Sequence, residues 1–279
     1  MKSNLFRAAN LLAQAGTWFG VAILLAALSP ALAGTFGKVV SIGGQGADLA
    51  LDESRGVLYV ANFTANRIEV VSIADGSVQT SLNVASQPSS LALSPDRRFL
   101  VVTHFGNFAA PNAPRNALTL IDLTTSGRQT FALALPPLGV AFGNDGLALV
   151  VTTGEFLLFD PVLGTVQALD TVANVSAKTL PQPANNYPPQ IVAASIVASG
   201  DGRRIFGVTD TILFTYEVDG RRLWGTGYTS SPPLGPRAIS APADGSYYLA
   251  GWAMFDNRGL LAQFPDPAGT LNVGRSEEH

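Results

Sequence analysis

The sequence predicts an all-β fold, a β-propeller built from four-stranded antiparallel blades. Two observations lead to this prediction. The chain of 279 residues contains 28 Gly and 18 Pro, and such frequent turn residues favour many short strands over long helices. A segment of about 14 residues also recurs five times along the chain, at the spacing typical of propeller blades.

The first 33 residues have the pattern of a secretory signal. Lys2 and Arg7 lie in the N-terminal segment, an apolar run follows at residues 18–28, and residues 31–33 (Ala-Leu-Ala) form a cleavage site. The run is shorter than the roughly 20 residues of a membrane span. We therefore expect a signal peptide at residues 1–33 and export of the remainder, periplasmic or extracellular, with no membrane span. An uncleaved N-terminal anchor is the alternative.

The five copies of the repeat are 42, 49, 56 and 43 residues apart when they are aligned on a turn residue. In each copy an apolar strand A leads through a tight turn to an apolar strand B, and strands C and D follow. Asp and Gly suit such turns because Asp bonds its own backbone and Gly accepts a positive φ. The aligned turn residues are Ser54, Asp96, Asp145, Asp201 and Asp244.

The first copy shows the later strands most clearly, with strand C predicted at residues 67–73 and strand D at residues 77–84. An isolated strand D is predicted before it, at residues 35–42. The fifth copy is expected to take its strand D from residues 270–274, which leaves strands A to C of at least one blade unaccounted for.

We therefore expect a partial propeller domain at residues 34–274, from a truncated reading frame, with six or seven blades in the full-length protein. Residues 275–279 (Arg-Ser-Glu-Glu-His) resemble a translated sequencing adapter and are expected to be a non-native tail. The alternative is a genuine charged tail on a five-bladed propeller.

One motif resembles a known family. Residues 59–62 (Tyr-Val-Ala-Asn), followed by an Asp-Gly turn, a strand D and then Gly or Pro, are similar to the YVTN-type β-propeller repeat of exported bacterial and archaeal proteins. The resemblance covers about residues 35–274 and implies a propeller of the lactonase-like superfamily. It implies the blade, but the motif is structural and transfers no catalytic residue.

Composition excludes several function classes. The formal charge is -3 and 13% of residues are charged, about half the ~25% of soluble domains, whereas a nucleic-acid binder is normally basic. The chain has no Cys and two His, which excludes Cys-zinc and multi-histidine sites. No catalytic motif appears, which favours a non-enzymatic role but does not exclude an enzyme. No cofactor is expected, although scattered Asp and Asn leave a structural calcium ion open because such ligands have no fixed spacing.

Two insertions indicate where a ligand would bind. One covers residues 106–116, between strands B and C of the second copy, and the other about residues 171–190, between the third and fourth copies. Because strands alternate in direction, both are expected on one face, and long loops on a rigid scaffold often bind ligands. The candidate ligand-binding residues on that face are Asp48, Asn62, His104, Phe105, Asp210, Arg237 and Trp252.

Four of these candidates also have a simpler structural interpretation. His104 suits a general base or a ligand, or a hydrogen bond within a loop. Phe105 and Trp252 suit stacking on a sugar or peptide, or packing between blades. Asp48 suits a cation at the channel mouth, or the cap of a turn.

The favoured hypothesis is an exported, non-enzymatic propeller that binds a protein, a glycan or a small molecule through its loop-rich face. The alternative is a lactonase-like hydrolase acting on a sugar lactone or related ester, which rests on fold analogy.

Overall fold

The computed structural model describes residues 39–105, 116–179, 190–227 and 238–264. These residues form twenty β-strands and one α-helix. The strands make five sheets, each of four antiparallel strands in chain order. This confirms the predicted all-β fold with four-stranded blades.

The strands are numbered along the chain. The first sheet contains β1 (Gly46–Asp52), β2 (Val57–Asn62), β3 (Arg67–Ser72) and β4 (Val78–Asn83). The second contains β5 (Pro88–Leu93), β6 (Phe99–Phe105), β7 (Asn116–Asp122) and β8 (Arg128–Ala132). The third contains β9 (Pro137–Phe142), β10 (Ala148–Thr152), β11 (Glu155–Asp160) and β12 (Thr165–Thr171). The fourth contains β13 (Ala194–Ala198), β14 (Arg204–Thr209), β15 (Ile212–Glu217) and β16 (Arg222–Gly227). The fifth contains β17 (Ile239–Ser240), β18 (Tyr248–Ala250), β19 (Ala253–Asp256) and β20 (Gly259–Gln263), and helix α1 (Val172–Thr179) lies between β12 and β13.

Strand register shows how closely the copies of the repeat agree. Leu49 of β1 pairs with Val60 of β2, and residues at the same repeat positions pair in the second, fourth and fifth sheets. In the third sheet Val140 pairs with Val150, because the backbone bond that closes the hairpin joins Gly143 N to the carbonyl of Leu147 and leaves three residues between them, whereas four residues separate Ser94 from Phe99 in the second sheet. Strand B of the third copy therefore ends one residue earlier than the ungapped alignment predicts.

Successive sheets pack face to face through apolar cores. The innermost strands β1, β5, β9, β13 and β17 lie side by side in that order. Buried side chains form one core between each successive pair of sheets, from the first pair to the fourth. This is the packing of propeller blades around innermost strands. Within the described residues, no apolar core joins the fifth sheet to the first.

One face of the sheets carries the short turns between the first and second strands, and between the third and fourth; we call it the turn face. Here Arg55 Nη1 donates to the carbonyl of Arg97 in the next sheet (2.7 Å), and Asn144 N donates to the carbonyl of Gly202 (2.9 Å). Bonds between turns of successive sheets place these turns together, as the sequence predicts.

The opposite face carries the connections between second and third strands and those between sheets; we call it the loop face. Asn66, between β2 and β3, accepts a bond from the backbone N of Gln87, which precedes β5 (2.8 Å). Both predicted insertions start from strand ends on this face. Residues 106–115 and 180–189 lie outside the described residues, and helix α1 is the described part of the second insertion.

The structure corrects two strand predictions. The fourth strand of the fifth sheet is β20, because a tight turn follows Asp256, whose carboxylate accepts bonds from the backbone N of Arg258 (2.7 Å) and Gly259 (3.0 Å). Residues 270–274, predicted as that strand, lie outside the described residues. An isolated strand is predicted at residues 35–42; of these, residues 39–42 form no strand, and residues 35–38 lie outside the described residues. The predicted domain boundaries also fall outside the described residues.

Candidate functional site

His104 ends β6 on the loop face, and it is fully buried. Its Nδ1 lies 3.1 Å from the carbonyl of Ser86, and its Nε2 lies 2.8 Å from Oγ1 of Thr119. Burial lowers the pKa of His104 to about 4, so the ring is neutral at pH 7. Since a carbonyl can only accept, Nδ1 carries the proton and Nε2 accepts from Thr119. Both ring nitrogens are therefore used within the protein.

Asn62 occupies the same repeat position in the first sheet and is also buried. Its Nδ2 donates to the carbonyl of Ile42 and to Oε1 of Glu69, both at 3.0 Å, while its Oδ1 accepts from the backbone N of Ala65 (3.1 Å). Asn62 therefore fixes the loop between β2 and β3 from inside the sheet.

Glu69, a buried carboxylate, continues this network across the first sheet. Burial by itself raises the pKa of Glu69, but hydrogen bonds from Ser81, Arg67 and Asn62 outweigh it and hold the pKa below its ordinary value. In the second sheet, Thr119 occupies the position of Glu69. A row of polar side chains thus crosses each of the first two blades and supports the loop face.

Asp48 joins the first two sheets near the loop face. Its Oδ2 accepts bonds from Ser90 Oγ (2.8 Å) and from the backbone N of Leu91 (2.9 Å), both in β5. Its Oδ1 accepts from the backbone N of Leu49 (2.8 Å). The carboxylate therefore holds two innermost strands together.

Asp210 lies in the turn between β14 and β15 and is exposed. Its Oδ1 accepts bonds from the backbone N of Val192 (3.0 Å) and of Ala193 (3.3 Å), in the connection that enters the fourth sheet. Asp210 therefore ties two connections of the loop face to each other.

The aromatic candidates are half-buried. Trp252 packs against the core between the fourth and fifth sheets, which matches its interpretation as packing between blades. Phe105 ends β6 and pairs with Asn116. Arg237 lies outside the described residues. The described candidates belong to four of the five sheets, and their side-chain hydrogen bonds go to residues other than the candidates themselves.

Helix α1 is a feature of the loop face that the sequence interpretation missed. Val172 and Val175 are buried in the core between the third and fourth sheets, and Thr171 Oγ1 accepts a bond from the backbone N of Asn174 (3.1 Å). The signal was present, because Thr is a common N-cap and apolar residues three apart share a helix face. The helix was not predicted because the rest of the insertion is rich in Pro and Asn, a composition typical of a loop.

The sequence interpretation also missed a groove on the turn face, between the fourth and fifth sheets. Its volume is about 500 Å³. It is lined by Arg204, Glu217, Arg222, Leu223, Trp224 and Asn257. No spacing in the sequence brings these residues together, because they meet only through the register of β14, β15 and β16 and the position of the next blade.

A second cavity, of about 360 Å³, opens between β5, β9 and β13 at the turn face. Apolar side chains and backbone form most of its lining. Asp201, an acidic residue in that lining, already accepts bonds from Ser199 Oγ (2.7 Å) and the backbone N of Arg203 (3.0 Å). This cavity therefore offers little polar chemistry to a ligand.

Within residues 39–105, 116–179, 190–227 and 238–264, no group of three His, Asp or Glu side chains could hold a metal ion. No helix within the described ranges is long and apolar enough to cross a membrane.

The five face-to-face sheets define the protein as an all-β propeller with four-stranded blades. No family model matches the sequence, and no curated protein matches it. Solved structures do match. Hydrazine synthase of Kuenenia stuttgartiensis is 16% identical with a TM-score of 0.55, and the match covers 80% of this chain and 58% of that one.

Two further matches are also propeller-type structures. The β-propeller domain of Myceliophteria thermophila Cps50 (Swd1) is 14% identical with a TM-score of 0.57, covering 79% of this chain and 67% of that one. The extracellular domain of a hybrid two-component system from B. thetaiotaomicron is 13% identical with a TM-score of 0.57, covering 85% and 30%. At identities of 13–16%, the three matches support the fold alone. The match covers little more than half, 58%, of the hydrazine synthase chain.

Proposed function

We propose that the protein is an exported, non-enzymatic propeller that binds a protein, a glycan or a small molecule through its loop face. The observation that carries this proposal is the unequal length of the connections on the two faces. On the turn face, the longest connection between described strands is residues 241–247. On the loop face, residues 106–115, 172–193 and 228–238 connect strands.

The rigid base beneath these connections supports a binding role. His104, Asn62 and Asp210 all hold loop-face connections or strand ends through hydrogen bonds. A rigid scaffold that presents longer loops on one side is a common arrangement for recognition. The same bonds argue against the lactonase-like alternative, because His104 is buried and neutral, with both nitrogens engaged.

The proposal includes export of the protein. Export is supported by the signal-like pattern of residues 1–33 and by the YVTN-type resemblance, and one structural neighbour is itself an extracellular domain. Mass spectrometry of the protein recovered from the periplasm or medium should find Gly34 at the N-terminus. Recovery of residues 18–28 in a membrane fraction would instead support an uncleaved anchor.

A loop graft tests the binding face. In the first sheet, residues 63–66 connect the second and third strands, so this segment can replace residues 106–115 between β6 and β7. Wild type and graft would be compared on arrays of bacterial glycans and in a peptide-display selection. We expect the graft to lose at least roughly tenfold in affinity for the selected ligand.

The matched control changes the opposite face. Residues 94–98 and 199–203 are equivalent turns of equal length, so the second can replace the first without lengthening the chain. This variant should bind as the wild type does. Unchanged binding by the loop graft would refute the proposal. So would turnover of a sugar lactone that His104→Asn abolishes.

A further inference from the structure

The groove between the fourth and fifth sheets lies on the turn face, away from the loops of the proposed function. Glu217 and Arg222 stand on either side of the turn that joins β15 to β16, and Asn257 comes from the β19–β20 turn of the fifth sheet. Two blades therefore supply its walls. Its volume, about 500 Å³, falls within the range of small-ligand sites.

Register places a row of charges on one wall. Arg204 of β14 pairs with Glu217 of β15, and Glu217 pairs with Arg222 of β16. Directly paired residues share a sheet face, so these three side chains project from the same face of the fourth sheet, and Glu217 forms its ion pair with Arg222. The row carries two positive charges and one negative charge.

The two arginines are held differently. Arg204 Nη1 donates to the carbonyl of Gly245 in the fifth sheet (2.8 Å), which fixes this side chain against the neighbouring blade. Arg222 Nε (2.9 Å) and Nη2 both donate to Glu217 Oε2, and the Arg222 side chain is 71% exposed. The side of the guanidinium that carries Nη1 therefore points away from this ion pair and can meet a ligand at the groove.

Trp224 supplies an aromatic surface beside this row. It lies two residues beyond Arg222 on β16, hence on the same sheet face, and pairs with Thr215. The indole lines the groove and is half-buried. On the other wall, Asn257 is exposed and offers an amide with both a donor and an acceptor.

We propose that this groove binds an acidic saccharide, with a uronate ring stacked on Trp224 and its carboxylate paired with Arg222. Guanidinium groups bind carboxylates in a two-pronged geometry, and the surplus positive charge favours an anionic ligand. An aromatic side chain packs against the apolar C–H face of a sugar ring. Sugar hydroxyls can donate to Glu217 and accept from Asn257, whereas a ligand with carboxylates alone would repel Glu217.

The test uses trigalacturonic acid and its fully methyl-esterified form, which keeps the rings but removes the charge. The three Trp residues are Trp18, Trp224 and Trp252, so fluorescence quenching that disappears in Trp224→Phe reports on the groove. Calorimetric titration then measures affinity. We expect the acid to bind at least roughly tenfold more tightly than the ester.

Two variants and two controls separate a site from a general surface effect. Arg222→Gln, at an exposed position, should keep the fold and weaken binding of the acid roughly tenfold, and Trp224→Ala should abolish it. Arg98→Gln removes another exposed turn-face arginine, which pairs with Asp122, and should leave binding unchanged. Trp252→Phe should also leave it unchanged.

The proposal is overturned if trigalacturonic acid does not bind, if acid and ester bind equally, or if Arg222→Gln binds as the wild type does. The loop graft at residues 106–115 should bind trigalacturonic acid normally. Loss of loop-face binding and loss of groove binding can thus be observed independently.

Discussion

Gly207 provides the sharpest test of how the repeat is packed. At the same paired position in the blades, Val60 faces Glu69 in the first sheet, whereas Gly207 faces Phe214 in the fourth. A Cβ added to Gly207 would lie closer than 3.0 Å to three atoms of the Phe214 ring. The absence of a side chain at Gly207 is therefore what gives the ring its space.

Phe214 has little freedom to move away. It is fully buried, and its ring meets Phe156 of the third sheet edge-on, with centroids 5.0 Å apart. Overpacking a core costs about 1–3 kcal/mol, and the confined ring places Gly207→Ala near the upper end, about 3 kcal/mol. For a chain of this size that corresponds to a drop in Tm of roughly 6–12 °C.

Thermal and urea unfolding followed by circular dichroism would measure the effect. Gly46→Ala is the matched control, because its added Cβ would meet its nearest neighbours at 3.5 and 3.6 Å, ordinary contact distances. Its Tm should stay the same or rise slightly. In a Phe214→Leu background, Gly207→Ala should cost less than about 1 kcal/mol, since the clash is removed. An equal cost in both backgrounds, or none in the wild type, would refute this reasoning.

Two further predictions concern the loop face. The pKa of His104 is about 4 in the folded protein and about 6.5 when unfolded, so the unfolded chain takes up a proton as pH falls from 6.5 to 4. Unfolding free energy should fall by about 3 kcal/mol across this window, and in His104→Asn this part of the pH dependence should vanish; an NMR titration with a pKa above 6 would contradict this. Asp48→Ala, which leaves Ser90 and Leu91 N without their acceptor, should cost about 1–3 kcal/mol in urea unfolding, whereas Glu53→Ala should change stability by less than about 0.5 kcal/mol.

Much of the fold could be predicted because blade formation is local. Asp96, Asp145, Asp201 and Asp244 each accept a bond from the backbone N two residues later, so the turn signal and its structural cause are the same residue. Apolar alternation then defines the strands. The prediction was wrong where this signal weakens, as in the fifth copy, where the turn after Asp256 begins β20 earlier than expected.

The candidate site was less predictable, because the role of a polar residue depends on the strand beside it. His104 and Asp48 have the chemistry of site residues, yet Thr119 and Ser90 hold them through pairing that no single-sequence pattern reveals. Trp224 belongs to no sequence pattern that indicates a site, since its proximity to Arg204 depends on strand register.

The two faces therefore differ in which residues would contact a ligand. On the loop face, the described polar candidates bond to backbone and to neighbouring strands, so a ligand there has to be recognised by the longer connections that these residues support. On the turn face, the connections are short, and the groove draws its chemistry from strand side chains such as Arg222 and Trp224. Because these side chains sit on strands that pair in continuous register from β14 through β15 to β16, the groove is preformed. A ligand at the groove should therefore bind to side chains that strand pairing already holds in place, which lowers the entropic cost of binding.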